Sequence, residues 1–409
     1  MRTRILFITS MIALSACSWT QYRGDARHSG VNPYAPGIDT NTVTTLVPAW
    51  TSLPHGLGWE VTTRDGRAFA PGNTALLALD LETGQDLWHV DRSGTHASNE
   101  IHAATTVAAG SGSAVAFSEF GIDFDPNNPL FGSADGHVKY LDPAAGTVQR
   151  FSTDASFATP VESGGWLYEP QSRYLRGVHA NTQRYDLIAT ASGAGPGTGF
   201  VTHFSGPIDD VVSDDTTVFA DTNGVTFALP AHGCGLAECT PLWSTSLGQH
   251  LALANGNAYG IRFNGVVSAI GTGGCGTPTC NPTWSSPVLA GSIGGIAVNH
   301  DRVFVTTGTK LSVFAANGCG AATCQPLWTS TIAGTASSPS VVNDLVFAGS
   351  SAGTLNAWGT AGCGAATCTP VWSQDQGGAV GPVSPIHRAL VFPVGGNLGG
   401  VLRKLVLPL

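Results

Sequence analysis

The chain has 409 residues, of which 18 are Lys or Arg and 27 are Asp or Glu, giving a formal charge of −9, while 42% are hydrophobic and Gly alone numbers 53. So little charge beside so much apolar content excludes a disordered chain, no run of 18 apolar residues exists to form a membrane-spanning helix, and no basic cluster offers a nucleic-acid surface. The glycine content favours many tight turns over long helices.

In chain order, Arg2 and Arg4 precede the apolar run Ile5 to Leu14, which is too short to cross a bilayer and suits an export signal. Leu14-Ser15-Ala16-Cys17 then resembles the lipobox of bacterial lipoproteins. The resemblance implies a lipoprotein signal peptide over 1–16, diacylation of Cys17, an anchored lead-in over 17–42 and a single domain over 43–409. A secretory signal with a chance cysteine is the alternative. Ser18 is the residue that sends an enterobacterial lipoprotein outward, so the expected address is the outer membrane or cell surface.

Val43 to Trp50 reads as a fourth strand with no preceding three. From Leu76 to Trp88 come an alternating strand, the turn Asp80-Leu81-Glu82-Thr83-Gly84, and a strand ending in Trp. Val138 to Val148 repeats the unit without the Trp, inside a degenerate stretch over 97–190. There Asp123, Asp125 and Asn127 have the alternating oxygens of a calcium loop, without its Gly or its late Glu. A solvated insertion loop is the competing reading. The Gly-rich residues 192–199 precede a strand and read as a linker between units, not as a phosphate loop.

From residue 234 a Cys-x4-Cys unit takes the place of the acidic turn, at Cys234/Cys239, Cys275/Cys280, Cys319/Cys324 and Cys363/Cys368. Zinc needs four ligands converging on one ion, whereas the facing ends of one hairpin suffice for a disulfide. Four local disulfides are expected, in keeping with export. Each stiffens a hairpin tip. Upstream of each hairpin lie two further strands, as in Pro339 to Ser350 with its turn at Asn343-Asp344, and after Trp372 about three strands follow between Gly381 and Leu405.

Four strands in each 40 to 45 residues are the signature of a β-propeller blade. Fourth strands ending at Trp50, Trp88, near Phe151, near Leu187, and at Trp243, Trp284, Trp328 and Trp372 make eight blades. The expectation is an all-β propeller of four-stranded antiparallel blades, its ring closed by the N- and C-terminal strands, with seven blades left open by the degenerate region. The tryptophans are expected to pack between blades. His55, His102, His250 and His387 fall near first strands, beside Glu100, Asp209 and Asp210, and read as polar residues lining a wet central channel.

The unit at 76–88, with the lead-in Trp19-Thr20-Gln21-Tyr22-Arg23-Gly24-Asp25, resembles the quinoprotein repeat family, the propellers named for pyrroloquinoline quinone (PQQ). The resemblance covers nearly the whole mature chain. It implies a PQQ and Ca²⁺ site in the enzymes, with adjacent cysteines under the quinone, yet no Cys-Cys pair exists here. Glu60 alone stands about where the family places an acid near the quinone. No catalytic residue and no cofactor is therefore expected. The reading is a monomeric, lipid-anchored binding or scaffold protein that holds an envelope or surface protein, or an extracellular polymer. The alternatives are a PQQ- or metal-dependent oxidoreductase of alcohols or sugars, and a polysaccharide-binding or hydrolytic propeller.

Overall fold

A computed structural model describes residues 18–54, 60–72, 75–91, 100–109, 112–124, 132–152, 158–174, 183–191, 199–396 and 400–408. The strands form eight blades of four antiparallel strands each, and Val31–Asn32 adds a short parallel strand to one of them. Blade one spans 62–91, blade two 100–152, blade three 161–204, blade four 208–245, blade five 249–285, blade six 293–331 and blade seven 340–375. Blade eight joins three C-terminal strands, Ser384–Ile386, Ala389–Val394 and Val401–Val406, to Val47–Thr51 from the other end of the chain. The eight-blade count and the mode of closure stand as read from sequence.

Scarce charge follows from the ring. A strand inside a blade has a neighbouring blade on each face, so both of its faces must be apolar. In Ala75–Asp80, Leu76 and Ala78 join Val115 and Leu141 of blade two, while Leu77 and Leu79 join Val391 and Leu402 of blade eight. Leu345–Gly349 divides likewise: Leu345 and Phe347 face blade eight, and Val346 and Ala348 face blade six. All eight interfaces carry such a cluster. Trp50, Trp88, Trp243, Trp284 and Trp328 lie against the next blade, and Trp372 packs on the cluster shared by blades seven and eight.

Several expectations need correction. Trp243, Trp284, Trp328 and Trp372 open their fourth strands and do not end them, and Val43–Thr45 is a 3-10 turn ahead of the strand Val47–Thr51. Leu187 lies in the third strand of blade three, Gln183–Ala191, and the fourth is Gly199–Phe204. Residues 192–198 of the Gly-rich stretch lie outside the described residues, and the strands that flank it in sequence belong to one blade and not to two. The missed strand begins Gly-Phe, without the Trp that marks its counterparts, and Phe200 fills that place.

The four disulfides form as spaced, with Cα atoms 5.6 to 5.8 Å apart. They do more than stiffen tips. Each loop lies along the outermost strand of the preceding blade, as where Ser244 N donates to Pro278 O at 2.9 Å and Cys280 N donates to Ser244 O at 2.8 Å. The second cysteine of each pair, Cys239, Cys280, Cys324 or Cys368, is buried at the blade interface.

Candidate functional site

The lead-in enters the channel and travels around one of its mouths. Trp19 N donates to Thr63 Oγ1 at 2.9 Å and Thr63 N returns a bond to Trp19 O at 2.7 Å, on the first strand of blade one. Gln21 exchanges two bonds with the backbone of Glu162 in blade three. The carbonyls of Ala26, Arg27, Ser29 and Gly30 then accept from Ser213, Leu253, Val298 and Val341, on the first strands of blades four to seven. Val31–Asn32 pairs in parallel with blade seven, and Asn32 Nδ2 donates to Pro385 O of blade eight at 2.8 Å. Each partner lies at or next to the end of its strand, so the segment forms a ring inside a single mouth. Seven blades meet it through these bonds.

Trp19, Arg23 and His28 of the ring are buried, Tyr22 and Asp25 are half-buried, and Arg27 is exposed. Glu60, 2% exposed, accepts from Trp19 Nε1 at 2.7 Å and from Arg23 N at 2.6 Å on the same oxygen, and its other oxygen lies 3.6 Å from Arg23 Nη1. Arg23 Nη2 donates to the carbonyl oxygens of Ile296 and, at 2.9 Å, Pro339, so one guanidinium ties blade one to blades six and seven. Gly30 permits this crossing: its φ is +66°, and a Cβ would stand 2.7 Å from the Ala297 Cβ and 2.9 Å from Arg23 Nη2.

Farther round, His28 Nδ1 lies 3.1 Å from Asp210 Oδ1, and Tyr22 sets its ring edge-on to the His28 imidazole at 5.1 Å. Asp210 also accepts from Val211 N and Leu251 N, which orients it. Burial pushes the Tyr22 phenol up, aided by the charge of Glu60, and pushes the His250 imidazole down. Burial also raises Asp25, Asp209 and Asp221, the last to about 6.

The residues singled out in the sequence are only partly brought together. Glu60, Asp210 and His250 belong to the channel, and Asp209 lies beside Asp210 on the first strand of blade four. His387 sits exposed in a turn. Glu100 and His102 lie on the first strand of blade two and Asp123 on its second, with side chains outside what is described. Cys17, His55, Asp125 and Asn127 lie outside the described residues. Among the described residues no group of three or more His, Cys, Asp or Glu could hold a metal ion.

At this mouth the lead-in backbone lines the channel together with the polar residues expected there. Sequence reasoning missed Trp19, Tyr22, Arg23 and His28 as channel residues because they precede every blade. A concentration of aromatic and charged side chains in a segment outside the repeats was the available signal.

No family model matches the sequence, and no curated protein matches it. Solved structures do. BamB from Moraxella catarrhalis shares 12% identity at a TM-score of 0.59, over 88% of this chain and 97% of its own. The quinohemoprotein alcohol dehydrogenase of Comamonas testosteroni shares 11% at a TM-score of 0.66, over 97% of this chain and 81% of its own. The computationally designed protein Ika8 shares 13% at a TM-score of 0.60, over 88% and 99%. At such identity the likeness concerns architecture, and the chain has the fold of the PQQ-type propellers.

Proposed function

We propose that this protein is an exported, lipid-anchored propeller that binds a partner on its outer surface, as a scaffold at the cell envelope or surface, and catalyses no reaction in its channel. Residues 1–16 are the signal peptide, Cys17 carries the lipid, and the partner is an envelope or surface protein or an extracellular polymer. One observation carries the reading: Glu60 is already engaged by Trp19 and Arg23, with a guanidinium 3.6 Å from its second oxygen. A Ca²⁺ ion wants six to eight oxygens around it, and the side-chain groups that meet Glu60 here are an indole N–H and a guanidinium. These residues do not fit a calcium-bound quinone, and the arrangement favours binding over oxidation of alcohols or sugars. The four disulfides and the likeness to BamB are compatible with an exported protein.

Affinity purification of the full chain from detergent-solubilised membranes tests the proposal. A partner recovered in near-equal amount, retained in the Arg23→Ala variant and lost when rim loops are altered, supports surface binding. Recovery of the chain alone, together with turnover of an alcohol or sugar, overturns it.

A further inference from the structure

The lead-in ring fixes which side of the disc can face a membrane. Trp19 is fully buried and holds bonds through its N–H, its carbonyl and its indole. Only Ser18 separates it from Cys17. Two residues of extended chain reach about 7 Å, so a lipid on Cys17 is tied almost directly to the rigid body. Resting on the proposed lipidation of Cys17, we infer that the mouth ringed by the lead-in, together with the loops around it, lies against the lipid bilayer, and that the opposite face is the one presented outward.

That face carries the carboxylates Asp65, Glu82, Asp142, Asp214, Asp301 and Asp344 in its turns, while its disulfide loops are nearly uncharged. The turns after each first strand and the loops after each third strand share this end, as the bonds from Leu81 N to Gly66 O, Ala231 N to Thr216 O, Thr272 N to Gly256 O and Thr360 N to Asp344 O require. The four disulfide loops therefore sit around the same mouth. Between their cysteines stand Gly-Leu-Ala-Glu, Gly-Thr-Pro-Thr and, twice, Gly-Ala-Ala-Thr, so Glu238 is the single charge among them. Small uncharged tips approach lipid headgroups without stripping water from ions. Leu236, 70% exposed, and Tyr34, 63% exposed, stand out at this end, and tyrosine suits a membrane interface. Tyr34 is placed there by Asn343 Nδ2, which donates from a turn of this face to Ala35 O and Ile38 O. On the opposite face, in the turn between the second and third strands of blade five, Phe263 is 66% exposed.

Photo-crosslinking decides. p-Benzoylphenylalanine is placed at position 34 or 263 of the full chain, in bacterial membranes, and lipid adducts are measured by mass spectrometry. The expected yield of lipid adducts is at least tenfold higher at 34 than at 263. A flexible Gly/Ser insert of about 20 residues between Ser18 and Trp19, with a mean reach of about 25 Å, should bring the ratio to within twofold while leaving the chain on the membrane. Equal adducts at both positions in a lipidated chain would overturn the orientation and leave the anchor standing. An intact mass without lipid on Cys17 would overturn the anchor and the orientation with it.

Discussion

Blades one and two close onto their predecessors with a carboxylate, and blades four to seven do so with a disulfide. In the first kind, Asp80 Oδ1 accepts from Glu82 N, Thr83 N and Thr83 Oγ1, and Asp142 Oδ1 accepts from Ala144 N and Ala145 N. In the second, a covalent bond holds the loop. Both end at the same steric lock: a glycine with positive φ beneath an aromatic ring of the preceding blade. A Cβ on Gly84 would meet Trp50 at 2.6 Å, on Gly146 Trp88 at 2.7 Å, and on Gly318 Trp284 at 2.6 Å.

What differs is the edge each loop must cover. The outer strands facing the carboxylate loops run five and six residues, Val47–Thr51 and Asp86–Asp91. Those facing three of the disulfide loops run only two to four, as in Trp243–Thr245, Trp284–Ser285 and Trp328–Thr331. The longer disulfide loop itself supplies backbone partners to the short strand. An unpaired strand edge invites association with other chains, and the disulfide fixes a cover that six flexible residues could not maintain alone. Blade three to blade four adds a polar stitch, with His203 between Asp186 at 2.6 Å and Glu238 at 3.5 Å.

The largest expected effect comes from reduction. Opening each six-residue loop costs about 2 kcal/mol by loop-closure entropy, so thermal unfolding under a strong reductant should fall far below that of the oxidised chain. Blades one and two should keep their hydrogen-exchange protection longest. Uniform loss of protection would break the distinction between the two kinds of loop. Next is Gly318→Val, which combines a β-branched residue at φ +75° with a clash on Trp284 and should cost about 3 kcal/mol. Gly320→Ala, at φ +78° with nothing within 4 Å of its Cβ, should cost about 1 kcal/mol, and denaturant melts of the pair separate the clash from backbone strain.

Two carboxylates sharpen the comparison with opposite signs. Asp221 is buried and raised to about 6, so the folded state holds its proton more tightly than the unfolded chain does, and stability falls as pH rises from about 4 to 6. Asp221→Asn keeps an acceptor for Thr226 Oγ1 and should gain about 2 kcal/mol at pH 7, flattening that part of the profile. An unchanged slope in urea melts would contradict the assignment. Asp80 is instead lowered, chiefly by the bond from Thr83 N, so its contribution is present above the ordinary aspartate range and is lost as pH falls below it. Asp80→Ala should cost about 1 kcal/mol at pH 7, and nothing once the wild-type carboxylate is protonated.

Much of this was legible. A glycine, a tryptophan and a fixed spacing carry the blade count because a steric lock between neighbouring blades demands the same residues each time. Where the lock uses Phe200, the signal faded and the fourth strand of blade three was misplaced. The channel was far less legible. Glu60, Asp210 and His250 could be nominated from their nearness to first strands, but their partners Trp19, Tyr22, Arg23 and His28 come from a segment that belongs to no repeat. Ring closure brings residues such as Arg23 and Pro339 together across the disc, and no local pattern encodes that meeting. The disulfides were readable as pairs from spacing, while their docking on the preceding blade depends on the blade-to-blade stacking.

The central proposal is that the channel mouth ringed by the lead-in serves no quinone. Equilibrium dialysis of the purified, oxidised protein against PQQ and Ca²⁺, followed by absorbance of the retained quinone and dye reduction with an alcohol and sugar panel, tests it directly. The account predicts no retained quinone above a boiled control and no turnover. One quinone per chain with substrate-dependent dye reduction, abolished in Glu60→Gln, would contradict it.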